Sequence, residues 1–399
     1  MSAVDDGIQT HNRQPTTLST LASNVAVRRF VWQALAAIAL FGGVFWLAGN
    51  LHHNLAARNI SSGFGFLTRE AGLPIAEHLI SYTPADSYFR ALLVGTLNTL
   101  WVASWAIILG TILGTAIGIA RTSKNWLLAK LASIYVDLFR DVPLLLQLFL
   151  WYTILQKLPP VRQALNPVAG VFLSNRGLSF PVLDWQTAHS WTLLAFVLGL
   201  VATKLYAKRA SRRQLEDGRA RSLWPVATLL LVVIPLVVAF ALGASVDIDM
   251  PQPKGFNIRG GVTVSPEFFA LLVGLVIYNA AFIAEIVRSG LESVGRGQHE
   301  AARALGLHPK NILTWIVFPQ ALRVMVPPLT SQYLNVTKGS SLAVAIGYQD
   351  IVSVATTSMN QTGQSIELVG VIMGVYLTIS LSISLLMNIY NARVALVER

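Results

Sequence analysis

Long apolar runs separated by short polar segments dominate the pattern of this chain. Uncharged runs of about 20 residues are typical of transmembrane helices, because that length crosses the hydrocarbon core of a bilayer. The pattern therefore predicts an all-α integral membrane protein with about eight transmembrane helices. The predicted spans are Phe30–Ala48, Ala91–Ala120, Leu131–Gln156, Trp191–Thr203 with an extension towards Tyr206, Leu223–Val246, Phe268–Val287, Asn311–Thr337 and Leu368–Ala392.

The first apolar run could be a signal peptide or a membrane helix. It follows Arg28 and Arg29, exceeds the usual length of a signal core, and precedes no convincing cleavage site. These features favour an uncleaved first membrane helix.

Local residue patterns predict details of several spans. Gly110, Gly114 and Gly118 lie four residues apart and favour close packing against another helix. Residues 265–267, Ser-Pro-Glu, form a strong helix start before the sixth span. The third span opens with three charges that indicate either an interfacial salt-bridge cluster or a functional elbow. They are Asp137, Arg140 and Asp141.

Two segments late in the chain depart from regular spans. Pro319, Pro327 and Pro328 interrupt the seventh span and should kink it. The segment Gly339–Ser365 alternates short apolar runs with polar residues. It predicts a short or re-entrant helix followed by a loop.

The excess of positive charge decides the orientation. The chain has 30 Lys and Arg against 19 Asp and Glu, a formal charge of +11. Because the basic residues flank the apolar runs on alternate sides, they follow the positive-inside pattern and do not indicate nucleic-acid binding. The strongest inside signal is the loop 204–221, whose simplest role is topology, with anionic lipid as a second possibility. Both termini are predicted to lie inside.

Motifs for enzymatic chemistry are missing from the sequence. There is no cysteine, and the seven histidines do not form an HExxH pattern, so no metal site is expected. Neither a GxxxxGK[ST] loop nor a GxSxG elbow occurs, and therefore neither ATP binding by this chain nor hydrolase activity is expected. Two classes remain, an ion-coupled carrier that acts alone and a pore subunit driven by partner proteins.

The scarcity of charge within the spans distinguishes these two classes. Ion-coupled carriers usually place ionisable groups in mid-membrane. Here only Glu285, near the inner end of the sixth span, and Arg323, about halfway along the seventh, are candidates. The sequence therefore favours a pore driven by partners.

One polar stretch on the inside, Gly297–Pro319, has unusual internal order. Gln298–Leu305 is rich in strong helix formers, Gly306 can end a helix in the left-handed conformation, and Pro309 can open the next one. The stretch therefore predicts a short helix between two spans.

This stretch resembles the EAA signature of ABC importer permeases. Glu300-Ala301-Ala302 is followed by Gly306 and then by Ile316-x-Phe318-Pro319, where Phe318 replaces the usual Leu. The surrounding sequence, together with FRDVPLLLQLFLWY, resembles the polar amino-acid branch of that family and is most similar to the general L-amino-acid importer permeases.

The resemblance implies a fold, a function and partners. Spans two, three, six, seven and eight would form the five-helix core of a type I importer permease, with three additional helices. The chain would be the non-enzymatic permease subunit that moves L-amino acids, with broad specificity, into the cytoplasm. Its partners would be two ATPase subunits that hold ATP and magnesium, a homologous second permease and a periplasmic substrate-binding protein. The chain would bind membrane lipid and no cofactor, and it would lie in the bacterial inner membrane.

The same resemblance divides the chain and assigns residues. The expected segments are a polar cytoplasmic tail at 1–29, a membrane helix at 30–49, core parts at 88–157 and 266–393, an inserted region with a helix hairpin at 158–265, a coupling loop at 288–319 and a cytoplasmic end at 394–399. The ATPase-coupling candidates are Glu300, Ala301, Ala302, Gly306 and Pro319. A heterodimer is expected, with a homodimer as the alternative.

Polar side chains in or beside the spans are the candidates for the translocation path. Each is more often bonded to a neighbouring helix than to a substrate. They are Asn98, Gln147, Asn279, Glu285, Gln332, Asn335 and Ser341. The transported amino acids cannot be read from these residues.

Overall fold

A computed structural model describes residues 25–57, 63–218, 222–255 and 257–394, and this part of the chain is mostly helical. Most of the predicted terminal segments 1–29 and 394–399, namely residues 1–24 and 395–399, lies outside the described residues, as do Arg58, Arg219 and Arg221. The helices are α1 Val25–Ala57, α2 Tyr88–Arg121, α3 Trp126–Asp141, α4 Leu144–Gln156, α5 Thr187–Asp217, α6 Trp224–Ala241, α7 Pro266–Glu292, α8 Arg296–Ala304, α9 Pro309–Ile346, α10 Ile351–Thr362 and α11 Ser365–Val394.

Membrane-spanning candidates follow the predicted pattern. Within the described ranges, seven helices are long and apolar enough to cross a membrane, and the bent pair α3 and α4 makes an eighth if it counts as one span. The helical membrane architecture predicted from the apolar runs is therefore confirmed.

Helices α2 and α7 form the centre of the fold through the glycine stripe. Gly110 lies beside Asn279, Gly114 beside Ile283, and Gly118 beside Val287. Because the residue numbers of the contacting positions increase in the same direction along both helices, α2 and α7 run parallel. Their carboxyl ends therefore lie on the same side of the membrane. A Cβ at position 114 would lie only 2.7 Å from the Ile283 Cβ, so the glycines permit the close approach expected of them.

The start of α7 agrees with its predicted cap. The Ser265 side chain accepts a hydrogen bond from the Phe268 backbone N–H at 3.1 Å, and Pro266 occupies the first turn. The cap satisfies an N–H group that the first helical turn leaves without an intrahelical partner.

The predicted continuous third span is wrong. It is broken into α3 and α4, whose axes differ by 102°. Val142 is extended and Pro143 caps α4, because the residue before a proline is disfavoured in helical geometry. Gln147 stabilises the bend, since its Nε2 donates to the Phe139 and Val142 carbonyls at 3.0 and 2.9 Å.

The salt-bridge cluster, one of the two alternatives for the charges at this bend, does not form among the described side chains. Among the ion pairs of the described residues, none involves Asp137, Arg140 or Asp141. Arg140 instead lies over the Phe282 ring of α7, with its guanidinium carbon 5.2 Å from the ring centroid.

The predicted inside loop 204–221 is also different in the structure. Helix α5 continues from the fourth span through the basic residues to Asp217, because Lys, Arg, Ala and Gln are good helix formers. Gly218, with φ of 65°, then ends the helix. The helix α6 returns beside α5 and contains a π-helical segment at Leu229–Val233.

Short strands in the inserted region add to the predicted helical membrane architecture. The strands are β1 Leu165–Val168, β2 Val171–Ser174, β3 Gly177–Phe180, β4 Val182–Leu183, β5 Ile248–Asp249, β6 Gln252–Lys254, β7 Asn257–Arg259 and β8 Val262–Val264. They form an antiparallel sheet in the order β1-β2-β3-β8, a long-range pair β4-β5 and a hairpin β6-β7. Leu178 of β3 pairs with Val264 of β8, next to the start of α7.

The last part of the chain contains the predicted interruptions. A π-helical segment, Ile312–Val317, precedes Pro319 in α9 and accommodates the proline within one long helix. The helix α10 is the predicted short helix, and Gly363 ends it with φ of 72°. Tyr88, Ile351 and Leu368 belong to one buried cluster that joins α2, α10 and α11.

A candidate coupling helix and the polar interior

The short helix α8 packs on the inner ends of the spans with one side and exposes the other. Ala302 is only 2% exposed and belongs to a buried cluster with Leu291, Ile312 and Val317. Leu305, just beyond the helix, is 79% exposed. The other exposed residues at this surface are Glu300, Ala301 and Ala304. We call Glu300, Ala301, Ala304 and Leu305 the outer face of α8.

The end of α8 is rigidly defined. Gly306 has φ of 73°, a left-handed conformation that glycine adopts without penalty. The N–H of Gly306 donates to the Arg303 carbonyl at 2.9 Å, and the N–H of Leu307 donates to the Ala302 carbonyl at 3.2 Å. This pair of bonds is a Schellman motif. His308 then caps α9, with Pro309 in its first turn, as the sequence pattern predicts.

A cavity of about 960 Å³ lies between α8 and the inner ends of α2, α7 and α9. Its floor is apolar and includes Ile119, Leu291 and Val317. Its basic residues are Lys124, Arg296, His299, Arg303 and Lys310. The cavity beside α8 is therefore rich in positive charge, whereas the outer face of α8 consists of three apolar residues and Glu300.

An ion network joins α2 to α7 just above this cavity. Glu285, a path candidate, pairs with Arg121 of α2 and with Arg288 of its own helix, the latter at 2.6 Å. Arg288 also pairs with Glu292 at 2.5 Å. Sequence reasoning missed Arg121 and Arg288, although Glu285, Arg288 and Glu292 have the spacing at which side chains meet on one helix.

Two path candidates form a direct bond between helices. Asn279 of α7 is 1% exposed, and its Oδ1 accepts a hydrogen bond from Gln332 Nε2 of α9 at 2.7 Å. The Asn279 Nδ2 donates to the Leu275 carbonyl in its own helix at 2.7 Å. The structure therefore brings these two candidates together between α7 and α9.

The other path candidates lie apart from this pair. Gln147 holds the elbow, and Asn98 donates to the backbone carbonyls of Glu77 and Gln349 at 2.8 and 3.0 Å. Asn335 is exposed, and Ser341 donates to the Lys338 carbonyl at 2.7 Å. The seven candidates do not line one cavity within this chain.

A polar cluster on the opposite side of the membrane was missed by sequence reasoning. Glu77 accepts a hydrogen bond from the Ser265 backbone N–H at 2.6 Å, and Glu267 accepts one from the Tyr152 hydroxyl at 2.9 Å. Burial raises the pKa of Glu77, and the hydrogen bond from Ser265 opposes this shift. No signal in the local sequence distinguishes Glu77 from an ordinary loop carboxylate.

Within the described residues, no group of three His, Cys, Asp or Glu side chains is placed to hold a metal ion. The arrangement instead consists of membrane helices, a capped helix exposed at their inner ends, and interhelical polar contacts. These features define the class of membrane-spanning transport components.

Comparisons with known proteins identify the family. Residues 106–396 match the family described as the inner membrane component of binding-protein-dependent transport systems. The chain is 48% identical over 391 residues to the putative amino-acid ABC transporter permease protein YhdX of Escherichia coli K12, covering 98% of this chain and 100% of that relative. The chain belongs to this family, and it is a multi-span ABC transporter permease of the inner membrane.

Two further relatives match over nearly their whole length. The general L-amino acid transport system permease protein AapQ of Rhizobium johnstonii is 47% identical over 374 residues, with 93% of each chain covered. The glutamate/glutamine/aspartate/asparagine transport system permease protein BztB of Rhodobacter capsulatus is 39% identical over 416 residues, covering 96% of this chain and 97% of that relative. The family inferred from the EAA-like pattern is thereby confirmed.

Proposed function

We propose that this permease carries L-amino acids of several kinds into the cytoplasm and is driven by partner ATPases through α8. The names of relatives that cover nearly the whole chain support the substrate class. The outer face of α8 is the observation that supports the coupling role. It is a compact, exposed surface on a helix whose other side is fixed in the core by Ala302.

Coupling requires a rigid path from the docking surface to the pore. The Schellman motif at Gly306 joins α8 to α9, and the prolines Pro319, Pro327 and Pro328 lie along that helix. Gln332 of α9 is bonded to Asn279 of α7. Movement of α8 by a partner would therefore reach two pore helices through one turn and one interhelical bond.

The proposed assembly contains two permease subunits, two ATPases and a periplasmic substrate-binding protein. ATP and magnesium belong to the ATPases, and this chain binds no cofactor. A homologous second permease would face the exposed Asn335 and the partly exposed Ser341 across the pore, and a homodimer is the alternative. The cytoplasmic side is the one that carries α8 and both termini. The strands near α7 lie on the other side, where the binding protein would dock.

A single charge introduced on the outer face tests the proposal. Leu305→Glu should abolish copurification of the ATPase and ATP-driven uptake, because it places a carboxylate on an apolar contact. Gln214→Glu is the matched control, since it adds the same charge to an exposed site elsewhere on the same side. Equal ATPase retention and uptake in both variants would exclude coupling through α8.

A further inference from the structure

The hairpin of α5 and α6 carries a surface that the transport role does not use. Its two helices pack closely on each other, since a Cβ at Gly199 would lie 2.2 Å from the Leu230 carbonyl oxygen. In the apolar 18-residue stretch of each helix, only 6% of the residues are buried within the chain. The side chains around the hairpin, including Leu194, Leu198 and Phe240, are therefore exposed to the lipid.

Basic residues occupy one half of α5 beyond its apolar part. At 100° per residue, their side chains cover about half of the helical circumference. They are Lys204, Lys208, Arg209, Arg212 and Arg213, and all five are exposed. We call this set the basic half of α5.

The opposite half of the same turns includes a buried position. Ala210 is only 8% exposed and lies on the same stripe as Gly199, which contacts α6. A loop that served only to orient the hairpin would need no preferred face. The positive charges here lie on the half of the helix opposite this stripe.

The depth of the basic half coincides with a lipid headgroup layer. Lys204 is 17 residues beyond Thr187, about 25 Å along the helix at 1.5 Å per residue. With the start of α5 placed at the outer boundary of the hydrocarbon core, which is about 30 Å thick, the Lys204 and Lys208 ammonium groups would reach the level of the lipid phosphates.

The strand pairing identifies the leaflet. The pairs β4-β5 and β3-β8 place the start of α5 and the start of α7 on one side. The basic half therefore lies on the side of α8, the side assigned to the cytoplasm.

The structure shows no acidic partner for these charges among the side chains that it describes, which do not include that of Asp217. None of the ion pairs between described side chains includes a member of the basic half. The exposed Glu216 follows on the same helix without an ion pair to Arg212 or Arg213. The phosphodiester of an anionic lipid supplies the missing negative charge.

We propose that the basic half of α5 binds anionic phospholipid headgroups in the cytoplasmic leaflet and anchors the hairpin to them. Guanidinium groups suit this role because they bond phosphate oxygens in pairs. The site is separate from α8 and does not depend on amino-acid transport.

Native mass spectrometry of the purified full chain tests the site, with equimolar phosphatidylglycerol and phosphatidylcholine as probes. The variant R209Q/R212Q/R213Q keeps Lys204 and Lys208, which preserve the orientation of the hairpin. Wild type should retain phosphatidylglycerol in preference to phosphatidylcholine. At about 1 kcal/mol for each basic residue at the surface, the preference should fall at least about tenfold in the variant.

The control K157Q/K254Q/R259Q removes three exposed charges from the opposite side and should keep the wild-type preference. Absence of a preference in wild type, or the same preference in R209Q/R212Q/R213Q, would overturn the proposal. Loss of a copurifying ATPase from R209Q/R212Q/R213Q with lipid preference unchanged would also overturn it, and would assign the basic half to a protein partner.

Discussion

The glycine stripe of α2 gives a quantitative test of the packing at the centre of the fold. An alanine Cβ at Gly114 would lie 2.7 Å from the Ile283 Cβ and 2.8 Å from the Ala280 carbonyl oxygen. Both distances are shorter than van der Waals contact, and both neighbours are held by their helix. Overpacking of this kind costs about 1–3 kcal/mol.

The matched control is alanine at Gly110, on the same stripe of the same helix. There the new Cβ would lie 3.7 Å from the Val276 carbonyl oxygen, an ordinary contact. Both variants gain the same helix propensity, about 1 kcal/mol, so this term cancels in the comparison. Gly114→Ala should therefore be less stable than Gly110→Ala by about 1–3 kcal/mol.

Thermal unfolding of the two purified variants in the same detergent, followed by tryptophan fluorescence, measures the difference. The unfolding midpoint of Gly114→Ala should lie below that of Gly110→Ala. A midpoint for Gly114→Ala equal to or above that of Gly110→Ala would refute the backbone contact between α2 and α7.

Three further predictions concern polar contacts. Glu77→Gln should remove a pH dependence of the free energy of unfolding. Because the pKa of Glu77 is raised in the folded protein, the stability that this group contributes is complete below pH 4.5 and is lost as the pH rises through the raised pKa. A glutamine at this position still accepts the hydrogen bond from the Ser265 backbone N–H. The pair Asn279→Ala and Gln332→Ala should show a coupling energy of about 0.6 kcal/mol in a double-mutant cycle, the average for bonds between membrane helices. Gln147→Leu should loosen the elbow and lower the unfolding midpoint, because two partly buried carbonyls lose their donor.

Each of these has a clear contrary result. Parallel stability curves for wild type and Glu77→Gln between pH 4.5 and 7 would show that Glu77 is not the titrating group. Additive effects of the two alanine substitutions would mean that Asn279 and Gln332 are not bonded. An unchanged midpoint in Gln147→Leu, with Gln156→Leu as a control at the exposed end of α4, would assign the bend to Pro143 alone.

Features of the structure that depend on adjacent residues could be predicted from local sequence signals. The cap at Ser265, the left-handed Gly306 and the helix start at Pro309 could each be predicted, because their geometry depends on only a few neighbouring side chains. The glycine stripe was also readable, since a four-residue spacing fixes one face of a helix.

Features that depend on distant parts of the chain could not be read in this way. The break at Pro143 lies inside an apolar run, and the hydropathy of that run gives no warning of a 102° bend. β3 pairs with β8, more than 80 residues away, so short strands in an extramembrane loop carry no local pairing signal. The sequence predicts a loop at the basic residues of α5 because their charge is typical of an inside loop, whereas their helix propensity favours the helix that the structure shows.

The candidate site could be predicted only in part, because some of its features are local and others depend on distant residues. The position of α8 follows from its sequence, but the orientation of its faces does not. Ala302 was grouped with Ala301 as a contact for the ATPase, yet it is buried against the spans. Leu305 is exposed and was not singled out, because the direction of a side chain on so short a helix is determined by the helices beneath it.

Uptake by reconstituted vesicles tests the central claim most directly. Vesicles that contain this permease with its partner permease, ATPases and binding protein should accumulate radiolabelled amino acids only when ATP is supplied on the side of α8. The chain alone, given a proton or sodium gradient and no ATP, should accumulate none. Accumulation by the chain alone under an ion gradient would contradict the account and identify an ion-coupled carrier.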